Sequence, residues 1–250
     1  VKVLADYHTH TNFSHGKGTI EDNVMAARDQ GLEEVAITDH GPRSFRIGIN
    51  GMKSLKKMKQ TINHLNDRYN DIKVLLGMEA NVVSLDGYLD IDNNFLEYLD
   101  ILNVGLHPMV YPKSFRDFKE LFLINWWHRI APGNDKKQKL AEIRKRNTNA
   151  ILKALDNYPV FIVTHPGLHM DIDTFELANK CSKQGAKLEI NCSHASKLTD
   201  YVKTAVKANN NIEFVISSDA HEPCEVGKLE KGVNLCKQVG ISTERIVNIT

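Results

Sequence analysis

Residues 4–18 read LADYHTHTNFSHGKG, an apolar run that stops at three histidines, His8, His10 and His15. Imidazole is awkward to cluster, because each ring has a polar nitrogen to satisfy and gains charge near neutral pH. The run leading into the cluster, VKVLADYH (1–8), reads as a β-strand, and the pattern recurs along the chain. EVAITDH (34–40), KVLLGMEA (73–80), LDILNVGLH (99–107), VFIVTHP (160–166), KLEINCS (187–193) and EFVISSDAH (213–221) are the other strand candidates. Helical patterns lie between them, near 21–30, 53–67, 92–98, 136–157, 172–184, 197–209 and 225–239. Short apolar strands alternating with helices predict βα units around a parallel sheet. Seven such units predict an α/β barrel of the TIM type, one unit short.

The bulk numbers agree with that plan. A chain of 250 residues with 42% hydrophobic content can bury a full core, and no linker or low-complexity stretch divides it, so one domain spanning 1–250 is expected. Lys plus Arg is 32 and Asp plus Glu is 31, a net charge of +1, which gives no global pull toward nucleic acid or an anionic membrane. The four cysteines, at 181, 192, 224 and 236, contain no CxxC pair and match no zinc knuckle or disulfide scaffold. No stretch approaches the roughly 20 apolar residues of a membrane span, and no signal-peptide pattern opens the chain. A cytoplasmic protein with reduced thiols is expected.

One connection is too long for a simple βα loop. Residues 108–135, PMVYPKSFRDFKELFLINWWHRIAPGND, form an insertion carrying Trp126 and Trp127 side by side. A lid, a subunit contact within a homo-oligomer and an extra packed helix all fit, the last favoured because large aromatics usually bury core surface.

The chemistry-bearing residues follow the strands. His8 and His10 close the first, His40 the second, Glu79 the third, His107 the fourth, His165 the fifth, and Asp219 and His221 the last, with His15 in the loop after the first. The C-terminal rim of a parallel barrel is where its active site is built. A single histidine at a strand end reads as a structural residue hydrogen-bonded to backbone. Seven of them with two acids on one rim do not, because burying so many unpaired polar groups is costly. In a strand, residues i and i+2 face the same way, so His8 and His10 can converge on one ion, and Asp219 with His221 repeats the spacing. Neutral imidazole is the commonest metal ligand and a carboxylate can bridge two ions. Barrel closure would bring first and last strands together and merge these pairs into one pocket. His64, His128, His169 and His194 follow no such pattern. His64 falls in a helix, while His169 and His194 read as loop histidines or as substrate contacts near the rim.

Together, DYHTHTNFSHG, ITDHG, GMEAN, GLHP, THPG and SSDAH resemble the polymerase and histidinol phosphatase (PHP) family, and within it the compact YcdX-type phosphatases, from about Asp6 to about His221. The resemblance implies a distorted seven-stranded (β/α)7 TIM-like barrel holding a trinuclear metal centre. Carried over position by position, a first ion takes His8, His10, Glu79 and Asp219. A second shares Glu79 and adds His107 and His165; a third takes His15, His40 and His221. Zinc, manganese and iron are all compatible with the family. Asp39 and His169 match no ligand role there, and 108–135 has none assigned.

The residue chemistry points the same way, to a phosphatase. Three divalent ions less the charges of Glu79 and Asp219 leave a formal +4, which a phosphate dianion and a hydroxide offset and an uncharged amide does not. The expected reaction is hydrolysis of a small phosphate monoester by a metal-activated hydroxide, with Glu79 bridging and Asp219, His221 or a metal-bound water protonating the leaving alkoxide. Arg43 and Arg46, in GPRSFRIG, are candidate phosphate clamps or solvated loop arginines. The alternatives are a histidinol-phosphate phosphatase, a nuclease or phosphodiesterase of the PHP type, disfavoured by the neutral charge balance, and an inactive metal-binding module, disfavoured by the complete ligand set.

Overall fold

Seven parallel strands form one sheet in chain order: β1 (Ala5–Thr9), β2 (Glu34–Ile37), β3 (Lys73–Asn81), β4 (Ile101–Gly105), β5 (Ile162–Val163), β6 (Lys187–Asn191) and β7 (Phe214–Ser217). The computed structural model describes residues 2–130 and 136–250. Helices α1 (Ile20–Asp29), α2 (Gly51–Arg68), α3 (Asn93–Leu96), α4 (Phe115–Asp117), α5 (Ile124–Ile130), α6 (Lys136–Asn157), α7 (Thr174–Gln184), α8 (Ala195–Ala208) and α9 (Glu230–Val239) connect the strands. The result is a nearly closed α/β barrel of the TIM-like kind, as the strand count predicts.

Local sequence explains the elements. The α1 start is a capping box, in which Thr19 Oγ1 accepts from Asp22 N and Asp22 Oδ2 accepts from Thr19 N. In α2, Leu55, Met58, Ile62 and Leu65 recur every three or four residues and form one fully buried stripe facing the sheet. α7 stops at Gly185, whose φ of 73° is the left-handed cap that glycine adopts without a Cβ clash.

The seam between β1 and β7 is where seven strands fall short of a continuous ladder. At the upper end, Thr9 bridges Ala220 and His10 N donates to Ala220 O at 2.8 Å. Lower down, the buried Asp6 carboxylate accepts from Ser218 N and Gly227 N, both at 3.0 Å. At the base the C-terminal tail fills the gap. Asn248 Nδ2 donates to Ala5 O and Ile216 O at 2.7 Å each, while its Oδ1 accepts from Ile216 N at 3.1 Å. One amide thus serves both edge strands. Asn248→Ala leaves these buried backbone groups unpaired and should lower stability by about 3 kcal/mol, measurable as a shift of the urea midpoint at constant slope. An unchanged midpoint would show that the seam is held elsewhere.

Two strands differ from the sequence expectation. β5 shrinks to Ile162–Val163 and β7 ends at Ser217, so His165 and Asp219 lie beyond the ladder. Both adopt positive φ, 22° and 57°, and the chain turns out of the sheet at the ligand-bearing positions. Within 108–135, α4 continues into a π-helical segment, Phe118–Leu123, and then α5; 131–135 lie outside the described residues. Leu121 and Phe122 are buried there, whereas Trp126 and Trp127 are 56% and 61% exposed. The packing is therefore carried by the π-helical segment and not by the tryptophans. Among the described residues, no helix is long and apolar enough to cross a membrane.

Candidate metal centre

Six strands and their exits deliver the cluster. His8 lies inside β1 and His10 just past it, two residues on and facing the same cavity. The loop that follows is folded back over the barrel mouth: Asn12 N donates to Gly18 O and Lys17 N to His221 O, both at 2.8 Å. This carries His15 to within 4.3 Å of the His221 ring, centroid to centroid. A Cβ on Gly16 would lie 2.6 Å from His10 O, so only glycine permits the close return. Asp39, which matched no ligand role, turns out to pin this loop, since its carboxylate accepts from Thr11 N, Thr11 Oγ1 and Ser14 Oγ. His40 bridges Glu79 across the β2–β3 edge, and Gly41 N donates to Glu79 O. His107 follows β4, where a Cβ on Gly105 would meet its ring at 2.4 Å.

The atoms converge on Glu79. Its Oε2 lies 2.8 Å from His40 Nδ1, 3.4 Å from His8 Nε2 and 3.7 Å from His10 Nε2. Its Oε1 lies 2.9 Å from His165 Nε2 and 3.4 Å from His107 Nε2, and accepts from Thr164 Oγ1 at 2.7 Å. Asp219 Oδ1 stands 3.3 Å from His10 Nε2 and 3.5 Å from His8 Nε2. His8 and His10 point their Nε2 atoms at each other, 3.1 Å apart, and His107 and His165 do so at 3.3 Å.

A hydrogen-bond network does not explain this arrangement, for Glu79 Oε2, His10 Nδ1 and His40 Nδ1 are buried with no partner in hydrogen-bonding geometry, the 2.8 Å approach of His40 Nδ1 to Glu79 Oε2 included. A divalent cation does: imidazole nitrogens and carboxylate oxygens that face one another across a gap are its donor set. Four triplets bring their donor atoms within 4.8 Å of one another: His10–His40–His221, His8–His10–Asp219, His8–Glu79–His165 and His40–Glu79–His107. Of the nine sequence candidates, His15 alone belongs to no triplet; its ring sits 4.9 Å from that of His40.

The electrostatics suit cation binding. Burial would raise the Glu79 and Asp219 carboxyls, but the surrounding imidazoles, His8 foremost, hold both well below the usual range, so they stay ionised. Burial pushes His10 and His107 down and takes His15 to about 4, leaving neutral rings with free lone pairs. His8 goes the other way. Burial lowers it, but Glu189, Glu79 and Asp219 together raise it well above an ordinary imidazole.

Around the cluster, His107 Nδ1 donates to Asn81 Oδ1 and His221 Nδ1 to Asp219 O, which turns each Nε2 toward the cavity. His169 stands beside His165 and His107, with ring centroids 5.6 and 5.7 Å away, and His194 Nε2 lies 3.8 Å from Asp219 Oδ2. Both therefore border the centre. His64 is exposed on α2, away from the rim. Arg43 and Arg46 occupy the loop after His40; Arg46 is exposed over the Phe45 ring, and among the described residues neither guanidinium forms an ion pair. The residue the sequence reading missed is Glu189 on β6, fully buried and 2.6 Å from His8 Nδ1. A signal existed. In a parallel strand covered on both faces, which should read as an apolar run, an acid is out of place.

Barrel and rim define a candidate metal-binding centre, and similarity to known proteins makes the chain a phosphoesterase. The chain belongs to the PHP domain family, whose pattern matches residues 6–219. Among curated proteins, it is 28% identical to a probable phosphatase of Shewanella frigidimarina, covering 99% of this chain and 90% of that one. A probable phosphatase of Thermoanaerobacter sp. is also 28% identical, over 99% and 91%. Among solved structures, the fold matches a histidinol phosphate phosphatase of Lactococcus lactis, complexed with zinc, L-histidinol and phosphate. The TM-score is 0.62 at 18% identity, over 96% of this chain and 95% of that one. A putative histidinol phosphatase of Listeria monocytogenes matches at 0.57 and 18%, over 90% and 97%.

Proposed function

We propose that this chain hydrolyses phosphate monoesters of a small metabolite at a centre of three divalent ions, zinc or else manganese or iron. The ligands are His8, His10, His15, His40, Glu79, His107, His165, Asp219 and His221. The observation that carries the reading is the pair of nitrogen-to-nitrogen approaches, His8 to His10 and His107 to His165, on either side of the Glu79 carboxylate. Bound divalent ions supply Lewis acidity toward phosphoryl oxygens and a nucleophile at neutral pH.

The side chains divide the remaining work. Glu79 turns one oxygen to His165 and His107 and the other to His40, His8 and His10, so its carboxylate serves as the bridge. Two ionised carboxylates among imidazoles leave the loaded site strongly positive, which favours a phosphate dianion over a neutral ester. Arg43 and Arg46, in the loop after His40 and without carboxylate partners among the described residues, are the candidates for clamping phosphate oxygens bidentately. Asp219, ionised at rest, would first take up the proton released by the attacking water and then deliver it to the leaving oxygen; His221 or a water at the centre are the alternatives. The Asn12–Gly18 loop folds back toward His221 at the barrel mouth, which favours a small substrate.

The test is a substrate panel on metal-loaded protein: sugar monophosphates, nucleoside monophosphates, histidinol phosphate, a bis-aryl phosphate diester and single-stranded DNA. Hydrolysis of monoesters in preference to both diesters is the expected result. Cleavage confined to histidinol phosphate would narrow the function to that substrate, and cleavage of diesters alone would make the chain a nuclease-type enzyme. Inertness toward all of them would leave a metal-binding module.

A further inference from the structure

The centre rests on a carboxylate beneath it. Glu189 is the middle residue of β6 and projects into the barrel lumen, where four groups surround it. Oε1 accepts from His8 Nδ1 and from Ser217 Oγ, each at 2.6 Å. Oε2 accepts from the backbone N of His165 at 2.6 Å and from Asn191 Nδ2 at 3.1 Å. All four partners are donors, and among the described residues no lysine or arginine pairs with this charge. An apolar side chain would fill the lumen with less desolvation, so a buried carboxylate here needs a reason beyond packing.

We propose that Glu189 is the positioning residue of the centre: it fixes which nitrogen of His8 faces the ions and holds the turn that presents His165. An ionised carboxylate can only accept, so His8 must carry a proton on Nδ1, which leaves Nε2, facing Glu79, Asp219 and His10, as the nitrogen from which a cation would displace any second proton. The second oxygen captures the His165 N–H where the chain leaves the ladder at φ 22°. Asn191 extends the hold to a third strand, since its Nδ2 also donates to Asp219 Oδ2 at 3.0 Å. Two neighbouring side chains on β6, Glu189 and Asn191, thereby tie together ligands from β1 and from the exits of β5 and β7. The inference rests on the reading that the cluster binds ions.

Glu189→Gln is the discriminating variant because it keeps shape and removes one acceptor. With the amide NH2 turned toward His8, that ring can accept only by moving its proton to Nε2, which closes the ligand atom. With the NH2 turned toward His165, two donors face each other and the turn loses its anchor. Either way the His8–Glu79–His165 group suffers, whereas His10–His40–His221 makes no contact with Glu189.

Metal-stripped wild type and variant are titrated with zinc against a competing chelator, and bound zinc is counted per chain. The expected result is that one or both of the zinc ions held by His8 or His165 bind about 10- to 100-fold more weakly in Glu189→Gln, with the zinc at His10–His40–His221 unchanged. Equal affinity for every zinc would overturn the proposal, as would uniform loss of all of them, which marks a residue needed only for folding. Wild type that binds no zinc would instead remove the metal-centre reading, and this inference with it. A second measurement needs no variant: 15N-histidine NMR of the zinc-loaded wild type should show His8 with its proton on Nδ1, and zinc on Nδ1 would refute the assignment.

Discussion

Glu79→Ala is expected to reduce phosphate-ester hydrolysis by at least about 10³-fold, the upper range for losing one preorganised electrostatic group. Five imidazoles lie within 3.7 Å of the two Glu79 oxygens, and without the carboxylate they face one another with no anion between them. The barrel should survive the change. Met78 and Ala80, on either side in β3, are fully buried and the β3–β4 ladder is made by the backbone. A cooperative unfolding transition with hydrolysis lost is the pattern to look for, read by thermal melting beside steady-state assay. Full activity in a variant that still carries its ions would show that Glu79 is not the bridge.

The second large effect comes from stripping the metal. Exhaustive chelation should take hydrolysis to background, and zinc or manganese should restore it. Unfolding temperature should move with occupancy, because ions that bind the folded site and not the unfolded chain stabilise by mass action; at about a hundred times the dissociation constant this amounts to about 2.7 kcal/mol per ion. Hydrolysis that persists through chelation, with no shift in melting, would point to metal-independent chemistry.

Much of this site is legible in the sequence because barrel geometry turns strand order into spatial order. His8, His40, Glu79, His107, His165 and Asp219 each sit near the end of an apolar run, and a parallel barrel puts those ends on one rim. Local spacing suffices for His8 with His10, and chain closure supplies Asp219 and His221.

What stays hidden depends on facing and on gaps. Glu189 and Asn191 alternate with Leu188 and Ile190, and the strand pattern alone does not say that the polar pair lines a lumen. Asn248 lies in RIVNIT, a tail whose role exists only because seven strands leave an opening at the base. Trp126 and Trp127 look like core by composition and lie at the surface, since the apolar anchors of their segment are Leu121 and Phe122. Hydrophobicity says how much a residue gains from burial, and not which neighbour is available to bury it.

The most direct measurement is an elemental count on protein purified without chelator and supplied with zinc, manganese and iron. Three divalent ions per chain is the expected value, falling in the Glu79→Ala variant. A chain that retains none under ample supply, or saturates at one, would contradict the trinuclear centre on which the proposed hydrolysis depends.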